Sequence, residues 1–406
     1  MLRGCRLGVS GVVLLALLYS SPAYCHPPLQ LFIALTPEGG TLHLQPGTYS
    51  GPAVIDRPIT IEGGPDVVID GGGNGTVISV RADKVRLHGL HVTHSGNSHD
   101  QVDAGILLEA NEAQIEGNVI DDVLFGIHVK KAHDNIIRGN RISSRAVAPT
   151  LRGDGLRLWY SSNNLFEDNR FEQVRDLYIT NSPDNEFVAN TVRNSRVAME
   201  FVFSPGNRVE RSTIERDGRG VVIIYSDGLQ VIGNRFSHLR SYAGSALSLK
   251  ESSQVVIEGN QILHCAVGVT ANAPIQPENI FYMRNNHFVF NDIALYFYGE
   301  KGGHVIQGNH FEKNEHQVAV SSPVSARLQK WEGNQWDDYR GFDLDQDGTG
   351  DTPYEVYLYS DRIWMDRPMT QFFRGSPVMD IIDFIERLAP FSSPALVLRD
   401  PVPQVQ

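Results

Sequence analysis

A four-residue word, Gly-Asn-x-apolar or a close variant, returns along this chain every 21 to 29 residues. It reads Gly117-Asn118-Val119-Ile120, Gly139-Asn140-Arg141-Ile142, Asp168-Asn169-Arg170-Phe171, Ala189-Asn190-Thr191-Val192 and Arg211-Ser212-Thr213-Ile214. It continues at Gly233-Asn234, Gly259-Asn260, Asn285-Asn286, Gly308-Asn309 and Gly333-Asn334. A period of this size belongs to a solenoid, whose repeats bury their apolar faces against their neighbours. Between the asparagines lies a second short apolar strand, as in Gly126 to Val129, Gly155 to Leu158, Ala198 to Phe201 and Ala246 to Leu249. These segments alternate inward and outward, and none of the units carries a helix-length 3.6 period. Three short strands in roughly 22 residues make one turn of an all-β, right-handed, single-stranded parallel β-helix. Its coils lie about 4.8 Å apart.

The repeated asparagines (Asn118, Asn140, Asn169, Asn190, Asn234, Asn260, Asn286, Asn309 and Asn334) read as a structural ladder. An asparagine tolerates the left-handed backbone of a tight corner, and stacked amides hydrogen-bond from coil to coil. The preceding glycine supplies a positive φ. The longest interval, from Asn140 to Asn169, places an insertion at Ser144 to Gly153, projecting as a loop.

The two ends differ from the repeat. Arg3 and Arg6 precede the apolar run Gly11 to Leu18, and small residues follow at Ser20, Ser21 and Ala23. Residues 1–25 therefore read as a secretory leader, with cleavage after Ala23 or after Cys25. No other stretch has the apolar length of a membrane span, so the mature chain is expected to be exported and soluble. Leu29 to Leu35 is expected to form a short helix over the first coil. The solenoid occupies residues 26–340, and residues 341–406 hold an acidic loop, a helix and an extended tail. In that helix, Ser376 to Leu388, the residues Val378, Ile381, Ile382, Ile385 and Leu388 share one face. A lid over the last coil is the preferred reading, and a docking helix the alternative. Once the leader is gone only Cys265, and Cys25 on one cleavage choice, are left, so no disulfide framework is expected.

The formal net charge is −12, which repels nucleic-acid phosphates and anionic lipid headgroups and suits cations. Asp343, Asp345, Asp347 and Asp351, with Gly348, match the first nine positions of a calcium loop. The bidentate glutamate of that motif is absent, because Tyr354 holds its position. The loop is thus either a structural calcium site or an acidic turn. His91 and His94, in a histidine-rich stretch, and Met365 and Met369, spaced like thioethers of a copper(I) relay, are candidate copper ligands. Solvated histidines and core methionines are the bland alternatives. Carboxylates at Asp103, Asp121, Asp122, Asp154 and Asp176, with Lys130 and Arg157, leave open a polysaccharide lyase or epimerase on the same scaffold. No Ser-His-Asp, Cys-His, phosphate-loop or zinc spacing appears.

The chain resembles the NosD family along its whole mature length. The resemblance starts at Pro58 to Gly71, passes through Ala104-Gly105-Ile106 and the Gly-Asn coils, and is most specific from Gly333 to Tyr354. That last block carries Trp336, Asp338, Tyr339, Gly341, Asp343, Asp345, Asp347, Gly348, Gly350, Asp351, Pro353 and Tyr354. The resemblance implies a periplasmic, non-enzymatic accessory protein for maturation of nitrous oxide reductase. Its implied partners are an ABC transporter's membrane subunit and ATPase, a copper-chaperone lipoprotein and the reductase itself. The implied task is assembly of the reductase's copper–sulfide centre, with transient contact to copper. The resemblance does not say which residues touch metal.

Overall fold

Strands of three to six residues alternate with corners too tight for helix, and the chain has one way to bury them: coil upon coil. The computed structural model describes residues 26–242, 244–272, 279–299, 301–322, 324–358, 376–388 and 395–405. The leader and Met365 and Met369 lie outside that range. Three parallel sheets form the solenoid. The first runs from Thr41–His43 to Lys330–Glu332, the second from Gly47–Ser50 to Gln335–Trp336, and the third from Ala53–Ile55 to His316–Val320. They contain 13, 13 and 12 strands. The fold is the right-handed parallel β-helix expected from the repeat.

Inward positions stack in register. In the first sheet Ile115 pairs with Ile137, Ile137 with Phe166, and Phe166 with Phe187. The rings of Phe166 and Phe187 lie 4.8 Å apart and nearly parallel. In the second sheet the stack runs Phe288, Phe311, Trp336, with ring centroids 5.0 and 4.3 Å apart. Like side chains meet like because the coil spacing equals the strand spacing, so a large ring is received by its equivalent one coil on.

The corner between the first and second sheets holds the asparagine ladder, with the positive φ expected of the preceding glycine, which non-glycine residues adopt at some corners. The left-handed residue is the one before the asparagine, as at Gly117 (φ 62), Gly139 (φ 64), Asp168 (φ 51), Ala189 (φ 55) and Arg211 (φ 49). The asparagine itself turns inward and is buried. From rung to rung the bonds run one way, toward the C-terminus, while each Nδ2 also donates back to a carbonyl of the preceding coil, as from Asn140 to Ile115 and from Asn169 to Ile137. Asn118 gives both its backbone N–H and its Nδ2 to Asn140 Oδ1 at 3.0 Å, and Asn140 does the same to Asn169. Ser212 replaces one rung, its Oγ accepting from the Asn190 N–H at 3.1 Å.

A non-glycine residue at φ near +55° is strained by about 1–2 kcal/mol. Ala189→Gly is therefore expected to stabilise the protein by about 0.5–1 kcal/mol, net of the entropy glycine adds to the unfolded chain. An unchanged or lowered urea midpoint would contradict this.

Both ends are closed. The helix Leu29–Leu35 buries Leu29 and Ile33 on the first coil. At the other end the tail is a strand, Ala395–Asp400, antiparallel to Tyr354–Leu358. Tyr354, Val397 and Leu398 are buried by this hairpin. Asp400 Oδ2 accepts from the Asn334 N–H at 3.0 Å and from its Nδ2 at 2.9 Å, ending the ladder on a carboxylate. A carboxylate only accepts, and an acceptor is what the last donor requires. The lid reading of the C-terminal helix is thereby corrected. In Pro377–Leu388 the residues Val378, Ile381, Ile382, Phe384, Ile385 and Leu388 are all exposed, and the hairpin closes the solenoid instead. No helix among the described residues is long and apolar enough to cross a membrane.

Candidate functional site

Outward positions of the second sheet form a column as regular as the core. From the N-terminal side it runs His91, Val119, Arg141, Arg170, and further on Arg235, Gln261, His287, His310, Gln335. Alternation fixes this: in each strand the middle residue faces the core and its neighbours face out.

The two sequence-assigned histidines do not converge on each other. His91 Nε2 lies 2.8 Å from Asp121 Oδ1. His94, at the following corner with φ 55, sits between Asp70 at 3.2 Å and Asp122 at 2.9 Å. Each ring is therefore held by carboxylates on adjacent coils. His88 belongs to the first sheet, in Arg86–His88, because the chain turns at Gly89-Leu90.

Toward the C-terminal end the same sheet brings together a group that was missed. His287 and His310 are register partners whose rings stack at 4.4 Å with a 13° tilt. His287, His310 and Glu312 each offer a ligand atom within 4.8 Å of the others. The signal was present in the sequence as the tripeptide Asn-His-Phe, at Asn286-His287-Phe288 and again at Asn309-His310-Phe311. Read at the coil period, one histidine must lie over the other. At the exit corner of this sheet His238 and His264 stack at 5.3 Å, and His264 and Phe290 at 5.1 Å.

In the acidic loop Asp343, Asp345 and Asp347 converge, each with a carboxylate oxygen within 4.8 Å of the others. Asp343 also accepts from the N–H groups of Asp347 and Gly348, and Asp347 from that of Thr349. Asp351 is turned to the base of the loop, where its Oδ2 accepts from the Leu344 N–H at 2.7 Å. These bonds account for the loop's shape, and the calcium assignment rests on the motif alone. Beside it a cavity of about 700 Å³ is lined by Asn314, Gln317, Asp337, Tyr339, Arg340 and Tyr354, among others.

Of the residues named for a lyase or epimerase, the structure gathers Asp154, Asp176 and Arg157, where the chain enters two adjacent strands of the third sheet, Leu156–Trp159 and Asp176–Thr180. Asp154 is bound by Arg175 at 2.8 Å and Arg157 at 3.2 Å, and Asp176 pairs with Arg196. Both carboxylates are 1–2% exposed. Burial raises the Asp154 carboxyl above its ordinary range, with Arg175 opposing the shift. Burial, followed by Arg157 and Lys130, holds the neighbouring His128 down to about 4, so it is neutral at pH 7. Asp103 is taken by the Ser98 N–H at 2.8 Å and Lys130 by Glu109 at 2.9 Å. Asp121 and Asp122 are the partners of His91 and His94. Asp103, Asp154 and Asp176 are thus buried and engaged, while Asp121 and Asp122 face solvent and are paired with histidines.

A family model described as "Periplasmic copper-binding protein (NosD)" matches residues 140–341. A "Probable ABC transporter binding protein NosD" from Stutzerimonas stutzeri is 27% identical over 401 residues, covering 94% of this chain and 91% of that protein. A protein of the same description from Pseudomonas aeruginosa is 28% identical over 369 residues, covering 86% of this chain and 85% of that protein. Among solved structures, an alginate lyase of family PL6 in complex with a trisaccharide superposes with a TM-score of 0.55 at 12% identity, over 76% of this chain and 81% of that one. The catalytic domain of a GH87 α-1,3-glucanase with nigerose gives 0.55 at 13% identity, over 74% and 65%. At that identity the two enzymes share the coil architecture and nothing further is carried over.

Proposed function

The chain belongs to the NosD family, and from that premise we propose that it serves an ABC transporter as the periplasmic accessory protein that helps assemble the copper–sulfide centre of nitrous oxide reductase. In this reading the solenoid is a rigid platform rather than a catalyst. It brings the transporter's membrane subunit, a copper-chaperone lipoprotein and the reductase to one surface, and copper passes as cargo.

The observation that carries the proposal is the C-terminal helix. Six of its apolar side chains stand exposed while a separate hairpin seals the last coil. A helix released from packing duty, with one apolar side, suits capture in a partner's groove. The names of the relatives support a binding role. The pairing of the buried Asp154 and Asp176 with arginines supports a non-enzymatic one.

The test is the metal content of nitrous oxide reductase purified from a strain lacking this gene. The reductase is expected to lack copper and sulfide at its copper–sulfide centre while its other copper centre stays loaded. A reductase with both centres complete and full activity would sink the proposal. Screening the purified protein against uronic-acid polysaccharides would then be the next step.

A further inference from the structure

We propose that His287, His310 and Glu312 form a copper(II)-binding site on the outer face of the second sheet; the choice of metal rests on the functional reading above, whereas the site itself rests on geometry. The two imidazoles stand one coil apart on parallel strands, stacked at 4.4 Å. Glu312 follows two residues after His310 on the same strand, so its carboxylate projects on the same side.

A second observation points to a missing ligand. The Nε2 atoms of both His287 and His310 are buried from solvent and make no hydrogen bond, although buried polar atoms are nearly always satisfied. His287 Nε2 meets Glu312 Oε2 at 3.4 Å without hydrogen-bond geometry. His91 and His94 lie closer to their carboxylates, at 2.8 and 2.9 Å, and each is hydrogen-bonded to a carboxylate. Stacked rings share no in-plane point, so binding requires one ring to rotate about its Cβ–Cγ bond and turn its lone pair toward the other.

The surrounding charges suit a cation. Glu312 Oε1 holds Lys313 at 2.9 Å, which leaves Oε2 for the metal. Asp337 adds negative charge nearby and accepts from the Lys313 N–H and from Gln317. Two imidazoles are borderline donors and the carboxylate a hard one, and for such a nitrogen–oxygen set copper(II) outranks zinc and the other first-row divalent ions.

The experiment is titration of the full mature protein with copper(II) against a competing chelator, with electron paramagnetic resonance of the bound ion. It compares wild type, His287→Ala/His310→Ala and His91→Ala/His94→Ala, each checked for native circular dichroism. Loss of a group that only orients a ligand costs about 10- to 100-fold in affinity, so removing two ligands should cost at least about 100-fold. The expected result is that drop, with loss of nitrogen hyperfine structure, in the His287/His310 variant alone. Unchanged affinity and spectrum in that variant would overturn the site while leaving a copper role intact. Wild type that binds no copper would overturn the site and the copper part of the functional reading together. Retention of copper function in cells alongside loss of binding in the variant would separate the site from the maturation role.

Discussion

Replacing Asn169 with alanine is expected to lower the folding stability by about 3–5 kcal/mol, a large fraction of what a domain ordinarily has. Four hydrogen bonds pass through this one amide. Its Oδ1 receives the backbone N–H and the Nδ2 of Asn140, both at 3.0 Å. Its Nδ2 donates to the Ile137 carbonyl at 2.8 Å and to Asn190 Oδ1 at 3.1 Å. The site is 1% exposed, so water cannot replace the lost partners. Each buried group left unsatisfied costs about 1–3 kcal/mol. Asn169→Ser should fall between alanine and wild type, because Ser212 shows that a hydroxyl can accept from the preceding rung while leaving the donor positions empty. Urea unfolding followed by circular dichroism measures all three. A loss under about 1 kcal/mol for the alanine variant would mean that the ladder follows the coil without supporting it.

The second large effect has the opposite sign. Asp217→Asn is expected to stabilise the protein at pH 8 by about 2–4 kcal/mol, with the gain fading as the pH falls from about 7 to 4. Asp217 occupies the corner between the second and third sheets. Its Oδ1 accepts from the Ser195 N–H, while its Oδ2 is buried without a partner. Burial pushes its carboxyl up to about 7, against the Ser195 hydrogen bonds that pull it down. The folded pKa lies above the unfolded one, so between about pH 4 and 7 the native state holds a proton that the unfolded chain has released. Stability from this group is therefore present at low pH and lost as the pH rises toward 7. Three coils further on, Asn291 shows what an amide does at the same corner. Its Oδ1 accepts from the Cys265 N–H, and its Nδ2 donates to the Ile262 carbonyl and to Asn314. Unfolding midpoints of variant and wild type from pH 4 to 8 would show the two curves diverging. A pH-independent offset, or a less stable variant, would refute the argument.

The repeat was legible because it is a local demand written many times. The Asn118 to Asn334 word fixed the period, and the period dictated the stacking. The insertion at Ser144 to Gly153 came out where the interval lengthened, leaving the sheet after Arg141–Ser144. Other ladders escaped notice because serine and asparagine are common in turns. Asn135, Asn164, Asn185 and Asn207 form one, and Ser161, Ser182, Ser204 and Ser226 another. The terminal hairpin was illegible for a different reason. Tyr354–Leu358 and Ala395–Asp400 are separated by a helix and pair across it, and no local pattern announces a partner so distant. The same limit explains the histidines. His91 and His94 were conspicuous by crowding in sequence, whereas His287 and His310 lie 23 residues apart and meet only through the register of the coils.

The one-way ladder and its acceptor at Asp400 make coil number a free variable of this architecture. From Asn234 to Asn334 every rung gives the same pair of bonds to the next, so a coil spliced in there finds its donor below and its acceptor above already in place. The first coil with its helix and the last with its carboxylate need not change. Reach along the axis can then be lengthened or shortened in steps of one strand spacing, about 4.8 Å, which lets a platform of this kind match the distance between the partners it must bridge without redesigning either end.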